Sequence, residues 1–241
     1  MNEVIRIKTG TPSLDSGLSG GIPAGSAVLL LSDTGAGGNL LMQTMLCQLT
    51  EVSPAESGVS GKLLYISAKK SADVLQNDIK RTLHLTEAET VRAASHLSDA
   101  GIPEKGSLQA LLEKTAAYPA GSLVFLDSLT SYLPAEGGDP DFYSFFRLMN
   151  RMLRIFSERK VTCVFLLAAG ALPKEQEAQL SDLFDHIWRL SWTTELQKPR
   201  RLLSIEKGGD DASASPHEML QLNAVISSDG KLAVSHLRKI A

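Results

Sequence analysis

Residues 29–42, LLLSDTGAGGNLLM, hold the arrangement in this chain with the clearest chemical meaning. An apolar run from Ala27 to Leu31 enters the turn Ser32-Asp33-Thr34-Gly35-Ala36-Gly37-Gly38, and a segment of helical periodicity leaves it. In this strand–loop–helix setting, G-x-x-x-x-G-K-[ST] wraps nucleotide phosphates: backbone N–H groups cradle them, the lysine grips them and the hydroxyl reaches magnesium. Of the four fixed positions only Gly37 is kept; Ser32 stands at the first glycine, Gly38 at the lysine and Asn39 at the Ser/Thr. Thr34, Gly35, Ala36, Gly37, Gly38 and Asn39 are therefore the candidate residues of a degenerate nucleotide-binding loop. The plain alternative is a tight turn.

Two more stretches carry chemistry-bearing residues directly after apolar runs. GKLLYISAKKSADVL places Lys69 and Lys70 before a helix whose N-cap is Ser71. A lysine pair in such a turn is either solvated or an anion-binding pair. GSLVFLDSLTSYL ends four apolar residues on Asp127. That is the form of the strand aspartate that holds magnesium in phosphoryl-transfer sites, and it makes Asp127 the candidate metal residue.

Strand-like runs fall at 26–31, 62–67, 121–127, 161–168, 186–192, 201–207 and about 219–226, with helical patterns at about 39–51, 71–83, 106–118, 140–158 and 174–183. Alternating strands and helices imply a mostly parallel sheet with helices on both faces. The last third has short strands without helices between them, which predicts an antiparallel edge. Loops are expected at Val52 to Gly61 and Gly208 to Pro216, and Lys198-Pro-Arg-Arg201 is expected to be a solvated hairpin turn. Ligands of such sheets bind at the carboxyl ends of the strands, which gathers the loop, Lys69, Lys70 and Asp127 into one place.

The 241 residues suit a single α/β domain spanning 1–241. A net charge of −3 without a dense basic face disfavours nucleic acid. No stretch is long and apolar enough for a membrane span, the first residues lack a signal-peptide layout, and Cys47 and Cys163 lie inside apolar runs. These features together suggest a cytoplasmic protein. The histidines at 84, 96, 186, 217 and 236 show no metal spacing. DFYSFFRLMNRMLRIF carries apolar residues on more than one face, which fits a helix that is buried or meets a partner.

Taken together, the stretches resemble the KaiC-like branch of the RecA superfamily of P-loop ATPases. TGTPSLDSGLSGGIPAGSAVLL, residues 9–30, is similar to that family's opening: a short helix started by Thr11-Pro12, then a Gly-Gly-Ile-Pro-x-Gly turn before the first core strand. LYISAKK, LVFLDSLTSYL, LSDLFDHIWRLSW, RRLLSIEKGGDD and LNAVISSDGKLAV follow the family's later strands in order.

The resemblance implies a nucleotide lying between subunits. It also implies a glutamate pair at Lys69-Lys70 that would activate water, and a Lys-x-Arg of which Lys207-Gly208-Gly209 keeps only the lysine. Loss of a general base costs about 10²–10⁴ in rate, and loss of an arginine finger about 10³–10⁵. The combination implies a pseudo-ATPase with a signalling, regulatory or scaffolding role, in a homo-oligomer, a ring or a complex with another protein. ATP and Mg2+ would bind weakly if at all. Two alternatives stand beside it: an unorthodox ATPase or kinase that uses Asp127 with relocated lysines, and a recombinase-paralogue accessory of DNA repair.

Overall fold

The computed structural model describes residues 5–99, 107–115, 118–134, 141–194, 199–208 and 219–240. In chain order the elements are β1 (Arg6–Ile7), α1 (Pro12–Gly17), β2 (Ile22–Pro23), β3 (Ala27–Ser32), α2 (Gly38–Leu49), α3 (Pro54–Ser57), β4 (Leu63–Ser67), α4 (Ala72–Thr82), α5 (Glu87–Ala94) and β5 (Leu97–Asp99). There follow α6 (Ser107–Thr115), β6 (Leu123–Asp127), a 3-10 turn (Leu129–Tyr132), α7 (Phe142–Glu158), β7 (Thr162–Ala168), α8 (Lys174–Asp182), β8 (His186–Thr193), β9 (Arg200–Lys207), β10 (Met219–Ile226) and β11 (Leu232–Ile240).

Nine strands form one sheet in the order β5-β4-β6-β7-β3-β8-β9-β10-β11. The run from β5 to β8 is parallel, and β8 through β11 are antiparallel. The side chains of β3 show why both faces are covered. Val28 and Leu30 pack with Leu41, Met42, Met45 and Leu46 of α2, whereas Leu29 and Leu31 join Phe145, Met149, Met152 and Phe156 of α7. A strand buried on both sides reads as a continuous apolar run, as Ala27 to Leu31 does.

The opening segment folds as its residues suggest. Pro12 begins α1, and Gly20, Gly21 and Gly25 take φ of +110°, +130° and +86°. At Gly21 space matters as well: a Cβ there would lie 2.4 Å from the Ile7 carbonyl oxygen, across the small β1–β2 ladder.

Some expectations need correction. Val52 to Gly61 is not loop throughout, because Ser53 and Glu56 form a capping box that closes the one-turn α3. Arg200 and Arg201 are the first residues of β9 rather than a solvated turn, since they pair with Thr193 and Trp192 of β8; Lys198 lies outside the described residues. Of Gly208 to Pro216, only Gly208 is described. Helix α7 is not apolar all round. Phe145, Met149, Met152, Leu153 and Phe156 are buried, while Arg147, Asn150, Arg151 and Arg154 form an exposed polar face. Phe142 and Phe146 are half-buried, with ring centroids 6.2 Å apart, and Tyr143 stands 71% exposed. Among the described residues no helix is long and apolar enough to cross a membrane.

Candidate functional site

Four parallel strand ends are held level by the ladders. Ser32 pairs with Ala168 on one side and Leu190 on the other, and Ser67 pairs with Asp127. Beyond the ladder, Asp33 N–H donates to the Leu190 carbonyl (2.9 Å), Ala169 N–H to that of Ser32 (2.9 Å) and Ala68 N–H to that of Asp127 (2.7 Å). Above these ends lies a cavity of about 540 Å³. The degenerate loop apart from Ala36, with Lys69, Lys70 and Asp127, lines it, as do Asp78, Arg81 and Arg201.

The loop itself is an internally satisfied turn. Ala36 N–H donates to the Asp33 carbonyl (3.0 Å), and Gly35 and Gly37 take φ of +75° and +100°. Gly37 is the N-cap of α2, whose first residue is Gly38. Gly38 has no positive φ; space, not backbone freedom, explains its glycine. A Cβ there would fall 2.6 Å from Leu166 Cδ1, 2.7 Å from Ser32 Cβ and 2.8 Å from Ser32 Oγ. The Gly38 N–H donates to Ser32 Oγ at 3.2 Å. The departures at the motif's first and seventh positions are thus one coupled change: the serine fills the room of the missing lysine stem and takes up an amide proton.

Asp127 is equally committed. The phenol of Tyr65 donates to its Oδ2 at 2.7 Å. Tyr65 is fully buried, packs against Phe125 with ring centroids 6.1 Å apart, and shares a hydrogen bond with the side chain of Gln43 on α2. Burial raises the Asp127 carboxyl above its ordinary value, against the opposing pull of Tyr65, Lys69 and Lys70. The same carboxylate and the same burial push the Tyr65 phenol well up. The Asp127–Ser128 peptide is cis.

The lysine turn is built by Ser67, whose Oγ accepts the N–H groups of Lys69 (3.3 Å) and Lys70 (3.0 Å). Ser71 caps α4 as its position suggests. The Lys70 ammonium is paired with Asp78, which also receives Arg81 at 3.1 Å and is thereby held below the usual carboxylate range. The donor set around Asp127 is therefore a phenol, two ammonium groups and a serine, while the hydroxyl position of the loop carries the exposed Asn39. These residues do not fit a magnesium ion, which takes carboxylate, hydroxyl and water oxygens.

On the far rim, Trp192 clamps the loop. Its backbone N–H donates to Asp33 Oδ2 (3.1 Å) and its indole Nε1–H to the Thr34 carbonyl (3.2 Å). The Arg201 guanidinium lies 4.4 Å from the indole centroid. In total, Lys69, Lys70, Arg81 and Arg201 face Asp33, Asp78 and Asp127 across the cavity, four cations against three carboxylates. Lys207 donates to the Asp182 carbonyl at the end of α8, within its own chain.

Thr34, Gly35, Gly37, Gly38, Asn39, Lys69, Lys70 and Asp127 thus meet around one cavity, whereas Ala36 is buried in the core and Lys207 bonds to the end of α8. Tyr65, Gln43, Trp192 and Arg201 were not anticipated. A tyrosine inside an apolar strand, two residue pairs from Asp127 along the ladder, was the available signal for the first. Arg201 was misread as turn, and nothing local marks Gln43.

The sheet order, the antiparallel edge, the helices on both faces and the loop between β3 and α2 define a KaiC-like, RecA-type α/β fold. The KaiC-like protein PH0186 from the hyperthermophilic archaeon Pyrococcus horikoshii OT3 superimposes with a TM-score of 0.69 at 18% identity, covering 97% of this chain and 100% of that one. The flagellar accessory protein FlaH from Methanocaldococcus jannaschii gives 0.68 at 16% identity, again covering 97% and 100%. The chain belongs to DUF7125, a family of unknown function whose model matches residues 6–231. No curated protein sequence matches it.

Proposed function

We propose that this chain is a non-hydrolysing RecA-fold pseudo-ATPase: one RecA-like domain over 1–241 that serves as a regulatory or scaffolding subunit through contacts with copies of itself or with a protein partner. The observation that carries the reading is the Ser32–Gly38 pair. The lysine position has lost its side chain, its space is filled, and its amide proton is held by the protein itself. Lys69 and Lys70 stand where water-activating carboxylates would be required, and the Asp127 carboxylate is tied to Tyr65. The resemblance to FlaH, described as an accessory protein, is in keeping with such a role.

The test is phosphate release from magnesium-ATP by the purified chain beside its Asp127→Ala variant. Equal rates at background are expected. A turnover of about one per minute or more that the substitution abolishes would refute the reading. The cations lining the cavity favour one further possibility for the same site: Lys69 and Lys70 form an anion-binding pair that retains a nucleotide without turning it over.

A further inference from the structure

The cavity keeps the size of a ligand site, about 540 Å³, although its metal-holding chemistry is gone. Each carboxylate facing it is already engaged. Asp33 accepts the Trp192 N–H, Asp78 accepts Lys70 and Arg81, and Asp127 accepts the Tyr65 phenol. Among the described residues no cluster of His, Cys, Asp and Glu could hold a metal ion. The cations, by contrast, are in excess and come from three separate elements: Lys69 and Lys70 after β4, Arg81 on α4 and Arg201 on β9. The buried Nε of Arg201 has no hydrogen-bond partner.

A divalent cation entering here would meet like charge from two ammonium groups and would share Asp127 with a buried phenol already bonded to its Oδ2. Like charges a few ångströms apart disfavour each other, and the effect grows as the site is shielded from water. A phosphate group entering the same space meets charge of the opposite sign: the unpartnered Arg201 Nε and Lys69, and a Lys70 ammonium that would be shared with Asp78.

We infer that the cavity takes a phosphate-bearing ligand of the nucleotide class without a divalent cation, with Lys69 and Lys70 supplying the positive charge that a metal would otherwise bring. The inference rests on the non-hydrolysing reading above and adds the form of the ligand: the free nucleotide rather than its magnesium complex. Magnesium then competes with the protein for the phosphates, and its removal does not weaken binding.

The experiment is calorimetric titration of the full chain with ADP and with ATP, in excess EDTA and in excess magnesium chloride. The expected result is binding in EDTA at least as tight as in magnesium. Lys69→Ala/Lys70→Ala should weaken the EDTA affinity at least tenfold, about 1.4 kcal/mol. The comparison of EDTA with magnesium needs no variant, so it decides the matter even if the double substitution disturbs the turn. Affinity at least tenfold tighter in magnesium would overturn the inference, as would no binding in either buffer; both leave the non-hydrolysing reading standing. Magnesium-dependent hydrolysis that Asp127→Asn abolishes would instead overturn that reading, and the inference with it.

Discussion

Restoring the motif lysine alone should damage the protein. In Gly38→Lys the new Cβ lands 2.6–2.8 Å from Leu166 Cδ1 and from Ser32 Cβ and Oγ. The leucine methyl can swing aside, but Ser32 is a buried residue fixed by its strand. Overpacking of this kind costs about 1–3 kcal/mol. Replacing glycine within a helix returns about 0.5–0.8 kcal/mol. The net expectation is a loss of about 0.2–2.5 kcal/mol, a fall in Tm of up to about 10 °C for a chain of this size. Ser32→Gly alone removes the acceptor of the Gly38 N–H, worth about 0.5–1.5 kcal/mol, and adds about 0.5–1 kcal/mol for a glycine within a strand. In the double variant the serine no longer obstructs the lysine stem, so the two effects should not add. A double-mutant cycle by thermal or urea unfolding should yield a coupling of about 1 kcal/mol or more. Additivity within about 0.3 kcal/mol, or a Gly38→Lys variant more stable than the parent, would refute the coupled-exchange argument.

Other predictions concern the interior around Asp127 and the thiols. Tyr65→Phe deletes a buried hydrogen bond to a carboxylate and should cost about 1.5–3 kcal/mol in urea unfolding; a loss below about 0.5 kcal/mol would contradict the assigned contact. Burial raises the Asp127 carboxyl, so the folded chain binds that proton more tightly than the unfolded chain does. This contribution is full below the unfolded value and is lost as pH rises through the folded one. The stability of Asp127→Asn relative to the parent should therefore climb from acid to neutral pH, and a flat or falling difference would be the wrong sign. Burial pushes the Cys47 thiol up to about 12 and that of Cys163 well above its ordinary value. A chromogenic disulfide reagent should accordingly find both thiols silent in the native protein and reactive after denaturation.

Most of the fold was legible because its signals are local. Apolar runs of strand length, such as Leu123 to Leu126, need no knowledge of their neighbours, and Ser71 announces its helix by one side chain. The exposed face of α7 was harder: Arg147, Arg151 and Arg154 are spaced to share one side, yet the density of phenylalanine and methionine masks the stripe. Helix α5 and strand β5 escaped notice although Thr86 and Glu89 form a capping box, because the intervening pattern is weakly apolar. At the site, strand ends could be read and brought together by a general rule for parallel sheets. The hydrogen bonds from Gly38 to Ser32 and from Tyr65 to Asp127 could not. They depend on ångström-level placement of side chains from separate positions, and no spacing rule encodes that.

Trp192 has a practical consequence. The chain has two tryptophans. Trp188 is wholly enclosed in the core, whereas Trp192 is 38% exposed, bonded to the loop through both its backbone and its ring, and stacked against a guanidinium. Emission from the enclosed indole forms a steady background, while that of the rim indole is sensitive to any shift of Thr34 or Arg201. The protein thus carries its own optical gauge of the loop, readable by intrinsic fluorescence or by bromide quenching without an attached label. A Trp192→Phe variant would supply the blank.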